Sequence, residues 1–193
     1  GVLREYQLEQ NKLEQEKTNQ KNISSIKNLN LAYHPMYLGN SKSSKVIYEF
    51  VDYNCGYCQK FHQELINVMS DNSLKLVIIQ MPILGNFSEE LTKLALASSL
   101  QGQFKVVHNY LYSAERKSKM EDILADLFLR GVDLDLLKSD LDSQEVSDFL
   151  SIHRSYADEF KFTGTPATII GNQIIPGFID ADKITEILEK EFS

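Results

Sequence analysis

Cys55 and Cys58 are the chain's two cysteines, and only two residues separate them. A disulfide framework would need more cysteines, spread along the chain. A zinc site would need two further ligands, of which His62, four residues beyond Cys58, supplies one at most. Haem attachment needs a histidine directly after the second cysteine, where this chain has Gln59. What remains is a redox pair. A thiol attacks only as thiolate, and the start of a helix, with its free amides and dipole, lowers a thiol pKa to roughly 3.5–7.5. Gly56 and Tyr57 fill one tight turn between the sulfurs, so Cys58 can reach back and resolve a mixed disulfide made at Cys55.

The elements around the pair follow from periodicity. Lys45 to Tyr53 is rich in β-branched and aromatic residues and reads as a strand that ends at the pair. After it, Phe61, Leu65, Ile66 and Met69 recur at helical spacing. Leu74 to Met81 reads as a buried strand stopped by Pro82, which makes a right-handed βαβ unit with a parallel strand pair. Ser88 to about Phe160 is helical in pattern. The chain returns to strand at Ala167 to Ile170, turns at Gly171-Asn172, and continues through Gln173 to Ile175 as a hairpin. It closes with a helix over Ala181 to Phe192, N-capped by Asp180. Tyr33-His34-Pro35 and Leu38 to Ser41 read as loop.

Glu49 lies six residues before Cys55 on the same strand. It is either a buried acid that shuttles a proton to or from Cys58, or a paired or solvent-facing strand glutamate. Asp52 and Lys60 either tune the thiolate or, the simpler reading of both, are ordinary exposed charges. Thr165-Pro166 leads directly into a strand, the position where a proline is tolerated. His62, His108 and His153 read as packing or surface histidines rather than ligands, and Tyr48 and Tyr53 as core or rim aromatics.

The chain has 193 residues, 42% hydrophobic and 24% charged, enough for one globular domain with an appended segment. A net charge of -7 without a basic cluster argues against a nucleic-acid binder. The apolar runs are too short to cross a bilayer. The first 30 or so residues differ from the rest: Leu8 to Lys21 is rich in Gln, Glu, Lys and Asn, without Gly or Pro. That composition favours helix, but the heptad signal is weak, so a stalk and a solvated tail both stand.

With these motifs in view, the chain resembles the DsbA-like branch of the thioredoxin superfamily. Leu38-Gly39-Asn40, the stretch Val46 to Cys58, and Thr163-Gly164-Thr165-Pro166-Ala167 carry the likeness, which covers about residues 36 to 193. It implies an α/β thioredoxin fold (βαβ, then ββα) with a helical insert at about 88–160. It also implies a cis Pro166, an attacking Cys55, a resolving Cys58 and a buried Glu49. Gly56-Tyr57 and Thr165 depart from the Pro-His and valine typical of the disulfide-forming oxidases, and are similar to disulfide isomerases of the DsbC type. Suppressor-of-copper-sensitivity C proteins and the trimeric DsbA-like isomerases of alphaproteobacteria mix these traits. There a helical amino-terminal extension assembles three catalytic domains, which residues 1–35 would do here, leaving the domain from about Pro35 to fold on its own core. The resemblance implies a periplasmic isomerase and reductase, exported with its signal removed. It would act on misfolded cysteine-containing proteins, be kept reduced by a membrane thiol reductase, and need neither cofactor nor metal. A monomeric dithiol oxidase and a copper-binding thiol protein are the alternatives.

Overall fold

The computed structural model describes residues 1–28, 36–69 and 73–193. The loop expected at Tyr33-His34-Pro35 lies outside them. The first element is a long helix, α1 (Val2–Lys27), as its helix-favouring composition allows. Four strands and a fifth edge strand then build one sheet in the order β1-β3-β2-β4-β5. The strands are β1 (Tyr37–Gly39), β2 (Val46–Val51), β3 (Lys75–Gln80), β4 (Ala167–Ile170) and β5 (Gln173–Pro176).

β2 and β3 run parallel, with Val46 opposite Lys75 and Val51 opposite Gln80. Helix α2 (Gly56–Val68) is the crossover between them, as expected of a βαβ unit. β4 returns antiparallel to β2, with Glu49 opposite Thr168, and β5 pairs with β4 as a hairpin. The closing helix, α8 (Ala181–Phe192), is capped by the Asp180 carboxylate, which accepts from the Lys183 amide at 2.9 Å. Between β3 and β4 lie α3 (Asn86–Ser99), α4 (Phe104–Leu111), α5 (Met120–Leu129), α6 (Leu134–Asp140) and α7 (Gln144–Glu159). Two turns is too short for α6 to show a period, and its start is fixed locally, by the Asp133 carboxylate on the Leu136 amide.

Two expectations are corrected. Leu38-Gly39 is not loop but part of β1, which pairs antiparallel with β3. Three residues of edge strand carry no alternation to read, and the pairing is a tertiary choice. Gly39 adopts φ +82°, and a Cβ there would run into the Leu74 carbonyl, so the turn out of β1 requires glycine. The second correction concerns the amino-terminal segment, read as a stalk or a solvated tail apart from the catalytic domain: its Ile23 and Ile26 belong to the domain's core. Both are buried against their own chain, beside Phe50, Ile79, Ala157 and Ile169. The end of α1 is pinned there by Asn22, whose amide donates to the Glu159 carbonyl at 2.9 Å, and by the Tyr156 hydroxyl donating to the Ser25 carbonyl at 3.3 Å. Earlier along α1, Val2, Leu3, Tyr6, Leu8 and Leu13 are exposed.

The core is therefore double. α2, α3, α4 and α8 cover one face of the sheet, and α7 with the end of α1 covers the other.

Candidate active site

Cys55 stands where β2 has ended and α2 begins, in extended conformation as the helix N-cap, φ -99° and ψ 116°. Its amide donates to the Asp52 carbonyl at 3.1 Å, which closes the turn. Its sulfur accepts from the Cys58 amide at 3.2 Å, taking the place of the usual capping oxygen. Cys55 is half-buried, whereas Cys58, one turn into the helix, is buried completely.

That placement splits the two thiols. Cys55 is pulled down to about 6, first because the Cys58 thiol hydrogen-bonds it, and further by the Thr165 side chain and the helix-end amide of Cys58; partial burial and the Asp52 carboxylate oppose this. Cys58 is pushed upward, by the same hydrogen bond seen from the other sulfur and by burial. At neutral pH the half-buried sulfur is the thiolate and the fully buried one keeps its proton.

The second constellation meets the first. The Thr165–Pro166 bond is cis, and the Cys55 thiol lies 3.5 Å from the Thr165 carbonyl. Thr165 is half-exposed, Pro166 buried. Gly56 and Tyr57 are on the surface, Tyr57 68% exposed with its ring 6.4 Å from that of Phe178. Lys60 is exposed as expected, its ammonium 4.9 Å from the Phe178 ring centre.

Asp52 is not the exposed charge expected. It is wholly buried, and its carboxylate accepts from three backbone amides: Asn54 at 2.8 Å, Ile83 at 2.9 Å and Leu84 at 3.0 Å. It thereby ties the cysteine turn to the loop after β3, where Ile83 and Leu84 are exposed. Nothing in the spacing signals this, because the Ile83 and Leu84 partners lie more than thirty residues away.

Glu49 is fully buried on the β2 face that α2 covers. One carboxylate oxygen lies 3.5 Å from His62 Nδ1, and the other has no hydrogen-bond partner among the described residues. His62, His108 and His153 are all buried. His153 Nδ1 accepts from the Gln80 amide at 2.9 Å, and burial pushes its ring down to about 4. His108 packs 4.7 Å from His62, ring centre to ring centre, and its Nδ1 is 2.6 Å from the Tyr53 hydroxyl. Burial, and then His62, keep His108 neutral. Gln80 donates to the Tyr53 hydroxyl at 3.0 Å, and the Tyr112 hydroxyl donates to the Asp52 carbonyl at 3.1 Å. Burial holds both phenols protonated. Tyr48 and Tyr53 are core aromatics. A polar layer thus lies beneath the cysteine helix. The sequence flags Glu49 within it but not its contact with the histidines. His62 lies at helical spacing, i to i+4, from Cys58, and that is the signal which could have found it.

Comparison with known proteins agrees with this geometry. The profile described as Thioredoxin matches residues 32–190. The chain belongs to the thioredoxin family. It is a DsbA-like member and a thiol–disulfide oxidoreductase. It is similar to the thiol–disulfide exchange protein alpha-DsbA2 of Wolbachia pipientis, with a TM-score of 0.80 and 25% identity over 91% of this chain and 97% of that one. A thioredoxin-like oxidoreductase of Silicibacter pomeroyi superposes with a TM-score of 0.74 and 28% identity, covering 80% of this chain and 90% of that one. A disulfide bond formation protein D of Bacillus anthracis is 22% identical over 80% of this chain and 76% of its own length. No described helix of this thioredoxin-family chain is long and apolar enough to cross a membrane.

Proposed function

We propose that this oxidoreductase works as a protein disulfide isomerase and reductase on exported, misfolded proteins in the periplasm, with its pair kept reduced by a membrane thiol reductase. Cys55 attacks a substrate disulfide as thiolate and forms a mixed disulfide. Cys58 resolves it when the substrate does not rearrange first. Glu49 takes the Cys58 proton as that sulfur attacks, Gly56-Tyr57 spaces the two sulfurs, and Thr165-Pro166 presents backbone to the bound peptide.

The observation that carries the reading is the split between the thiols. A reduced pair with one thiolate and one protonated thiol in reserve is the form in which an isomerase begins its cycle. The degree of the split also supports isomerase over oxidase. Strong oxidants stabilise the reduced form with a nucleophile near 3.5, while thioredoxin, a reductant, is close to 7. Cys55, at about 6, stands nearer the second.

Assembly is part of the proposal. The exposed Val2, Leu3, Tyr6, Leu8 and Leu13 lie on the part of α1 beyond its docked end. Packing them against two other copies would bury them and hold three sites around one cleft. A substrate released from one site would then meet the next at high effective concentration.

Reactivation of scrambled ribonuclease, with native mass by light scattering, tests both parts. The full chain is expected to reactivate as a trimer. Removal of residues 1–20, which keeps Ile23 and Ile26 in the core, is expected to leave a folded monomer that reduces but isomerises poorly. A full-length monomer that oxidises dithiols and does not reactivate would give the function to the oxidase reading.

A further inference from the structure

We propose that His62 is a proton relay: it joins Glu49, and through it the buried Cys58 thiol, to solvent in the groove between α2, α4 and β1. The proposal rests on Cys58 being the resolving thiol.

Cys58 has a proton to lose each time it attacks, and it is shut off from water. The acceptor must lie within the protein. Glu49 is on the sheet face that α2 covers, and His62 follows Cys58 by one turn on the buried side of that helix. The Glu49 carboxylate is poorly satisfied, with one oxygen 3.5 Å from the imidazole and one unpartnered among the described residues. Buried carboxylates are ordinarily well supplied with donors, so an oxygen here is open to accept from the Cys58 thiol.

His62 also has an outlet. It lines a cavity of about 420 Å³ together with Leu38, Gly39, Ile66, Lys105 and Asn109. None of Cys55, Cys58, Thr165 or Pro166 lines that groove, so a proton arriving there does not cross the substrate surface. Imidazole suits the relay because one ring nitrogen can accept a proton while the other gives one up.

The neighbours leave this route open. His62 meets Glu49 from β2, His108 from α4 and Tyr112 at the end of α4, with Lys105 on the groove rim; Cys58 lies one turn before it on α2, and Tyr53 packs against His108 and Tyr112. Tyr53 and Tyr112 hold their protons, and His108 stays neutral. A neutral His108 does not repel a cation on the ring beside it.

In the resolving step the Cys58 sulfur bonds to the Cys55 sulfur, and the bond from Cys55 to the substrate sulfur breaks. The electron pair leaves as substrate thiolate. The Cys58 proton passes to Glu49, then by His62 to the groove, and solvent reprotonates the thiolate.

The test uses the full chain and a disulfide of thionitrobenzoate. Attack by Cys55 releases one coloured thiolate, and attack by Cys58 on the mixed disulfide releases the second. His62→Gln is expected to slow the second release on the order of tenfold or more and to change the shape of its pH profile, while the first release keeps its own midpoint. His62→Ala is expected to be slow as well and to regain speed with added imidazole, which a purely structural loss would not. A second release in His62→Gln that matches wild type in rate and profile overturns the relay. So does a slow His62→Ala that imidazole leaves unchanged. A wild-type chain that never gives a second release would instead remove the resolving role of Cys58 on which the proposal rests.

Discussion

On one face of β2, Tyr48 and Phe50 lie among Ile23, Ile26, Val77, Ile79, Ala167 and Ile169, with Phe160 and Phe162 edge-on to Phe50 at 6.0 and 4.8 Å. On the other, Glu49 looks toward a helix carrying Cys58 and His62, backed by His108, Tyr53 and Tyr112. Six consecutive residues of one strand serve both, because side chains alternate between its faces. The first face is apolar and satisfied by packing. The second carries buried polar groups, several with an unmade hydrogen bond. A fold that only had to be stable would fill both faces alike, since a buried polar atom without a partner costs about 1–3 kcal/mol. Such atoms also occur elsewhere among the described residues, at Ser88, Gln101, Arg116 and His153, but those of Glu49, His108 and Thr168 share the face that carries the cysteines.

Substitutions on the two faces should separate accordingly. Cys55→Ser is expected to abolish disulfide exchange, because the remaining thiol, Cys58, is buried and keeps its proton, while thermal unfolding stays near that of wild type. Cys58→Ser should accumulate mixed disulfides that diagonal gels resolve. Phe50→Ala is the opposite case: about 3–5 kcal/mol less stable in denaturant, yet with Cys55 as reactive toward iodoacetamide as before at a temperature where the protein is folded. Equal loss of reactivity from Phe50→Ala would erase the distinction between the faces.

Asp52 sharpens the comparison because it belongs to both purposes. Its carboxylate ties down the amides of Asn54, Ile83 and Leu84, and its charge opposes the Cys55 thiolate. Asp52→Ala leaves those amides short of partners and should destabilise by about 2–4 kcal/mol. Asp52→Asn keeps an acceptor oxygen and removes the charge, so the Cys55 alkylation midpoint should move below about 6. A midpoint that rises instead would mean that lost order in the turn outweighs the lost charge.

What the sequence reveals follows the same division. The strands and helices of the βαβ and ββα units come out of periodicity, down to the Asp180 cap and the bounds of α8, because burial on one face writes a period. Cys55, Cys58 and the Thr165-Pro166 loop are legible because a chemical requirement fixes their types and spacing. β1 is not legible, since three residues carry no period. Asp52 and the histidines are not, since a buried polar side chain reads the same as a surface one until its partner is known. His108 meets Tyr53 across 55 residues of sequence, and Tyr112 meets Asp52 across 60. The docking of Ile23 and Ile26 fails for the converse reason: two apolar residues on a polar helix give no amphipathic stripe, and the surface that receives them is made by α7 and the sheet.

The smallest expected effect is on stability against pH, and its sign separates the two sulfurs. Cys55 falls from about 9 to about 6 on folding, so the unfolded chain holds a proton there that the folded one has released. Stability of the reduced protein therefore rises with pH from about 6, is fully gained by about 9, and is lost as pH falls back through 6. Cys58 has the opposite sense, because its folded thiol keeps a proton that the unfolded one gives up. Above about 9 it withdraws stability. The reduced form should thus gain on a Cys55→Ser, Cys58→Ser double variant between pH 6 and 9 and lose ground beyond it, in denaturant titrations under a thiol reductant. Because Cys55 is half-exposed, solvent screens the effect and the gain stays modest. Thr165→Val removes a hydrogen bond that holds Cys55 down, so the onset of the gain should move above pH 6 without a change in its direction. An onset that stays put would mean that the Cys58 hydrogen bond and the helix end set the Cys55 thiolate without help from the Thr165 side chain.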